Sequence, residues 1–186
     1  MRKPNPHILK KELRLFGSLK VLMISSLLVA LSVVLGKLLA INITQSFRIS
    51  FENLPILFAG IAFGPFVGGM TGLIADLVGC LLVGYAINPL ITLGAICIGV
   101  IAGLFTHVLL PKHPLVSLPI AVAVSHLFGS VLIKSLGIYL WYGTPLAVLW
   151  LRIPIYLFTG AAEAYLLFLL FKSRAIRAYV EGVYRT

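Results

Sequence analysis

Seven charged side chains stand inside or against long apolar runs in this chain: Lys37, Arg48, Glu52, Asp76, Lys134, Arg152 and Glu163. Charge in a bilayer-type segment is costly, so such groups face a bundle interior, a cavity or one another, and they mark sites of function. Four of the seven are cations, which points to an anion as the bound species. Asp76 adds an acceptor for the amino and ring N–H groups of a heterocycle, and helical spacing puts it on one face with Gly72 and Gly79/Cys80. Catalysis has no visible apparatus. The sequence holds no GxxxxGK[ST], HExxH, GxSxG or paired cysteine cluster, and Cys80 and Cys97 sit apart in apolar segments. Neither a cofactor nor a metal is expected.

The elements that must position these groups are membrane helices. Of 186 residues 60% are hydrophobic and only 11% charged, against about a quarter charged in a soluble domain. Apolar runs of roughly 18 residues or more recur along the chain, and the alternating ten-residue segments of a barrel are missing. Six spans are predicted, at about 19–41, 51–63, 66–83, 90–110, 116–140 and 146–171, in a single membrane-embedded domain covering 1–186. The second is short and must tilt, kink or extend into structured loop. Residues 1–18 form a basic leader and 172–186 a basic tail. The net charge of +10 would suggest nucleic acid in a soluble protein, but here Arg2, Lys3, Lys10, Lys11, Arg14 and Lys20 lead the first span. Lys172, Arg174, Arg177 and Arg185 follow the last, and Lys112 lies in a connection between spans. By the positive-inside rule both termini are cytoplasmic. The excess is a topology signal with some attraction to anionic lipid, and no nucleic-acid partner is expected.

Fifteen cations less those eleven leaves Lys37, Arg48, Lys134 and Arg152, all placed by this topology in the outer half of a span or in an outside loop. Two readings are open. The four converge on one mouth as an anion funnel, or their long side chains simply snorkel to the outer headgroups. Arg152 favours the first, because Trp150, Pro154 and Tyr156 surround it. Asp76 either meets a ligand, pairs with Arg152 or satisfies backbone near its glycines. Glu52, four residues after Arg48, is placed to pair with it. Glu163, towards the inner half of the last span, calls for a structural partner, and His126 for an internal hydrogen bond in place of a metal. Aromatics at the outer turns fit an interfacial belt, from which Trp150 is the first choice as a stacking plate.

Small residues recur at helix-packing intervals, from Gly64 to Gly79, at Ser26-xxx-Ala30 and Ser32-xxx-Gly36, and at Gly94/Ala95, Gly99 and Gly103. Bundle packing explains much of this, while the first span leaves room for an external partner. A membrane protein that binds but has no motor suggests a subunit of something larger.

The first-span leader into LLVALSVVLGKLLAI, the block RISFENLPILFAGIAFGPFVGGMTGLIADLVG, the NPLITLGA opening of the fourth span and WLRIPIY in the sixth together cover nearly the whole chain. It resembles the substrate-binding S components of energy-coupling factor (ECF) vitamin transporters, and most closely their folate-specific branch. The resemblance implies an all-α, six-helix S-component bundle in a prokaryotic plasma membrane. It implies an outward pocket under the first outside loop (Asn42, Thr44, Gln45, Phe47) and docking onto a transmembrane coupling subunit that two cytoplasmic ATPases drive. The family's small-residue docking motif falls on Ser26 and Ala30, with serine where the family has alanine. For folate, Asp76, His126 or Asn88 would read the pterin, Trp150 or Tyr85 would stack on it, and Arg48, Lys134 or Arg152 would answer the carboxylates. Rival readings are an S component for riboflavin, thiamine or a queuosine precursor, and a membrane scaffold or channel whose outer charges only fix topology.

Overall fold

The computed structural model describes residues 17–42, 48–110, 114–145 and 149–185. Helix α1 spans Leu19–Leu38, its last turn (Val34–Leu38) wound as π-helix. A two-residue antiparallel pair follows, β1 (Ile41–Asn42) and β2 (Arg48–Ile49), with Ile41 opposite Ile49. Then come α2 (Asn53–Phe63), α3 (Pro65–Val83) and α4, which is α-helical over Pro89–Leu104 and π-helical over Phe105–Leu109. Helix α5 runs through Pro114–Ser125, a π segment His126–Ile133, and Lys134–Tyr142. Helices α6 (Arg152–Lys172) and α7 (Arg174–Arg185) complete the described chain.

Five of these helices are long and apolar enough to cross a membrane, and α2 is a shorter apolar one of 11 residues. At 1.5 Å per residue α2 is about 16 Å long, roughly half the hydrocarbon thickness. The short second span expected from sequence is therefore a half-length helix, and local chemistry fixes where it ends. Gly64 sits at φ 99°, a conformation that suits glycine, and Pro65 opens α3 at a position where its missing N–H costs nothing. Glycines at positive φ also end α3 (Gly84) and α5 (Gly143).

The bundle centre is made by backbones that touch. A Cβ on Gly60 would run into the Gly99 carbonyl, one on Gly99 into the Gly68 carbonyl, and one on Gly72 into the Ala95 carbonyl. Three helices, α2, α3 and α4, thus come into backbone contact at these glycines, which maximises dispersion contact where no water is squeezed out. Around this seam lies a core of Val29, Ile56, Leu57, Ile98, Val122 and Leu167. A second cluster, Val21, Ala62, Phe63 and Val67, receives Val180 of α7 and so folds the C-terminal helix back onto the end of the bundle. Helices α1 and α6 are the least covered, each with 22% of its apolar window buried; their bare faces are left for lipid or a partner.

Gly99→Ala should therefore destabilise the fold by about 2 kcal/mol or more, because the obstacle is backbone and cannot rotate away. Gly182→Ala in α7, where a Cβ meets open space, should be neutral or stabilising by up to about 1 kcal/mol. Thermal unfolding of the two detergent-purified variants beside the parent protein checks the contrast.

Candidate functional site

A small cleft of about 10 Å³ opens between α1, α3, α4, α5 and the start of α2, with Lys37, Glu52, Asp76 and Lys134 among its lining residues. The charges are introduced from four different elements. Lys37 comes from the π turn that ends α1, Glu52 immediately precedes α2, Asp76 stands in mid-α3, and Lys134 follows the π segment of α5. Both lysines therefore leave or adjoin a π-wound stretch, a winding often found at functional positions in helices.

Each charge is held. Lys134 Nζ donates to Glu52 Oε1 at 3.1 Å and to Asn53 Oδ1 at 3.3 Å, with both ionic side chains largely out of solvent. Ser32 of α1 donates its hydroxyl to the Glu52 carbonyl at 2.6 Å, so α1, α2 and α5 meet at one polar knot. Thr92 of α4 donates to Asp76 Oδ2 at 2.6 Å, a short charge-assisted bond that fixes the carboxylate's orientation. The Lys37 ammonium lies 5.8 Å from the centroid of the Tyr85 ring, within cation–π range. What results is a preorganised set of two ammonium donors and two carboxylate acceptors on apolar walls, including Val33, Ile56 and Ala95. Such a surface suits a ligand that carries both N–H donors and anionic oxygens.

Of the residues expected to bind, Asp76 and Lys134 come together here. Tyr85 reaches the cavity only through Lys37 and is itself 57% exposed. Asn88 is buried and engaged elsewhere: its Oδ1 caps α4 by accepting from Leu90 N at 3.0 Å, and its Nδ2 donates to the Gly137 carbonyl. His126 and Arg152 form a separate buried cluster between α5 and α6. His126 Nε2 and Glu163 Oε2 are 2.6 Å apart, Nδ1 is 3.2 Å from the Ser130 hydroxyl, and Gly160 leaves room for the ring. Arg152 donates to Tyr156 Oη at 2.9 Å and lies over its ring. Trp150 is 69% exposed. Arg48 and Asn42 pair through their backbones in β2 and β1; Thr44, Gln45 and Phe47 lie outside the described residues. Ser26 and Ala30 are exposed on α1, and the Ser26 hydroxyl donates to the Leu22 carbonyl at 2.8 Å, leaving no unpaired donor on that face.

Sequence reasoning offered Arg48, whose side chain lies outside the described residues, as the partner of Glu52; it did not pair Lys134 with Glu52 or connect Ser32 or Thr92 with the site. The usable signal was that an intramembrane lysine and glutamate each need an opposite charge. For His126 and Glu163, the sequence asked for internal partners, and each is the other's.

Fold and site together define a class: a multi-pass helical membrane protein with a charge-lined binding cleft inside its bundle. A sequence model described as "ECF transporter, substrate-specific component" matches residues 20–171, most of the chain, and the chain belongs to that family. Among solved structures it is similar to FolT bound with folic acid, at 27% identity and a TM-score of 0.69, covering 82% of this chain and 93% of that one. It is also similar in fold to the S component of a bacterial ECF transporter, at 22% identity and a TM-score of 0.63, covering 82% of this chain and 94% of that one. No curated protein sequence matches significantly. The architecture is thus the all-α S-component fold, and members of this family are substrate-binding transport subunits.

Lys134→Met should lower stability by about 3 kcal/mol, since it leaves Glu52 charged and mostly buried without its ammonium. Adding Glu52→Gln in the same chain should recover most of that loss. Unfolding of the single and double variants in one detergent measures the coupling.

Proposed function

We propose that this chain is the folate-binding S component of an ECF-type importer. The observation that carries the reading is the pairing of two lysine ammoniums with Asp76 in one cleft, on a fold shared with FolT bound with folic acid. Folate joins a flat pterin, rich in N–H donors, to a glutamate with two carboxylates. Asp76, oriented by Thr92, accepts from the pterin; Lys37 and Lys134 donate to the carboxylates. The cleft itself holds only about 10 Å³, room for about one water, far below the roughly 300–1,000 Å³ of ligand pockets. Folate binding in this reading therefore requires the cleft to widen, with the Lys134–Glu52 contact parting so that Lys134 can turn to the ligand.

In this reading the cleft faces outward, both termini are cytoplasmic and the membrane is the plasma membrane of a prokaryote. Energy comes from elsewhere. A transmembrane coupling subunit docks on the thinly covered face of α1 at Ser26 and Ala30, and two cytoplasmic ATPases act through it. The self-satisfied hydroxyl of Ser26 supports close approach there, because no polar group is stranded when a second helix covers it.

Calorimetric titration of the detergent-purified protein should show saturable folate binding. Lys37→Ala and Asp76→Asn should each weaken it about 10- to 100-fold, as expected for loss of one hydrogen bond to a charged group. Binding of riboflavin or thiamine with none of folate would reassign the substrate within the family. Ala30→Trp should abolish co-purification with a coupling subunit and leave folate affinity unchanged; a variant that still co-purifies would remove α1 as the docking face.

A further inference from the structure

Three charged side chains at the cleft each cross a glycine on a neighbouring helix. A Cβ on Gly36 of α1 would lie 2.7 Å from Glu52 Cβ and 2.8 Å from its Oε2. One on Gly79 of α3 would lie 2.8 Å from Lys37 Cε, and one on Gly94 of α4 would lie 2.6 Å from Lys134 Cγ. These glycines differ in kind from Gly60, Gly68, Gly72, Gly99 and Gly103, whose nearest obstacles are chiefly backbone. The seam glycines let helices touch. The cleft glycines open slots through which charged stems pass.

Gly79 is the clearest case. The three atoms nearest its absent Cβ all belong to Lys37: Cε at 2.8 Å, then Cγ and Nζ at 3.7 Å. Lys37 thus lies across the bare backbone of Gly79, with the Tyr85 ring near its ammonium. A lysine stem carries many rotamers, and confining it removes entropy that would otherwise be lost on meeting a ligand. Resting on the proposal that the cleft binds folate, we infer that Gly79 is a positioning residue for ligand recognition: its missing side chain holds the Lys37 ammonium over the cleft and so favours an anionic ligand.

The inference separates Gly79 from an ordinary packing glycine. Gly36→Ala would meet the Glu52 Cβ, and Gly94→Ala would also meet the Gly129 carbonyl at 2.7 Å, so both would shift main chain. Gly79→Ala meets the far end of a flexible side chain, which yields without moving a helix. Stability should barely change while the ammonium is displaced.

The test is a double-mutant cycle on folate affinity, using parent, Gly79→Ala, Lys37→Ala and the double variant. Gly79→Ala should weaken folate about 3- to 10-fold when Lys37 is present, part of the charged-bond loss expected of Lys37→Ala itself. It should have no effect when Lys37 is already alanine, and should leave a neutral pterin's affinity unchanged. Equal weakening in both backgrounds, or none in either while Lys37→Ala weakens binding, overturns the inference. A ligand-free measurement keeps it apart from the functional proposal. The ¹³C-methyl signal of reductively methylated Lys37, assigned with Lys37→Arg, should shift in Gly79→Ala and not in Gly182→Ala. A shifted signal in a protein that binds no folate would fell the functional reading and sustain the placement of Lys37; an unshifted signal overturns the placement.

Discussion

The structure depends on keeping charge solvated by protein inside an apolar bundle. Lys134 and Glu52 meet at 3.1 Å, and removing either would strand the other where water is scarce. Because the pair needs more than Coulomb attraction to offset its desolvation, the surrounding groups matter. Asn53 takes a second Lys134 hydrogen bond, and Ser32 holds the backbone at Glu52. This knot fixes where α2 begins. Since α2 is too short to be anchored by two membrane interfaces, its polar start and its glycine-seamed end are what hold it in place.

The glycine seam and the polar knot divide the labour. Backbone contact between α2, α3 and α4 at their glycines makes a close-packed block, while α1 and α5 bring the lysines to its edge. Dispersion dominates in the block, where close approach is the available attraction in a lipid solvent. Directional bonds dominate at the edge. A cleft bordered by helices fixed in these two ways holds Lys37 and Asp76 in place, while Lys134 must exchange Glu52 for the ligand.

The spans were legible because period and length are local properties: five runs exceed the length a bilayer needs, and Gly64-Pro65 announces a break through its own stereochemistry. The presence of a polar site was legible too, since each intramembrane charge stands out against its neighbours. What could not be read was pairing. Lys134 and Glu52 are 82 residues apart, and His126 and Glu163 are 37; nothing in either neighbourhood names the other. Asn88 shows the opposite failure. Its place just before Pro89 is a helix-start signal, and the side chain is used as a cap even though its type also suits ligand recognition. Arg152 was read from its aromatic surroundings, and one of them, Tyr156, is its hydrogen-bond partner.

The separation of Arg152 from the two cleft lysines has an electrostatic reason. Within the cleft, Lys37 and Lys134 are formally balanced by Glu52 and Asp76. The second cluster carries its own acid: His126 Nε2 lies 2.6 Å from Glu163 Oε2, while Arg152 donates to Tyr156 Oη and the Ser130 carbonyl. A third cation in the cleft would leave uncompensated charge in the empty protein, at a cost that grows as the dielectric falls. A neutral cleft has a consequence for selectivity. An anion cannot be drawn in merely by excess positive potential; it must offer Lys134 a better partner than Glu52 while its own N–H groups engage the acceptors that remain. A simple anion meets only half of that exchange. A ligand with carboxylates at one end and donors at the other meets both, and charge balance thereby becomes a filter for shape.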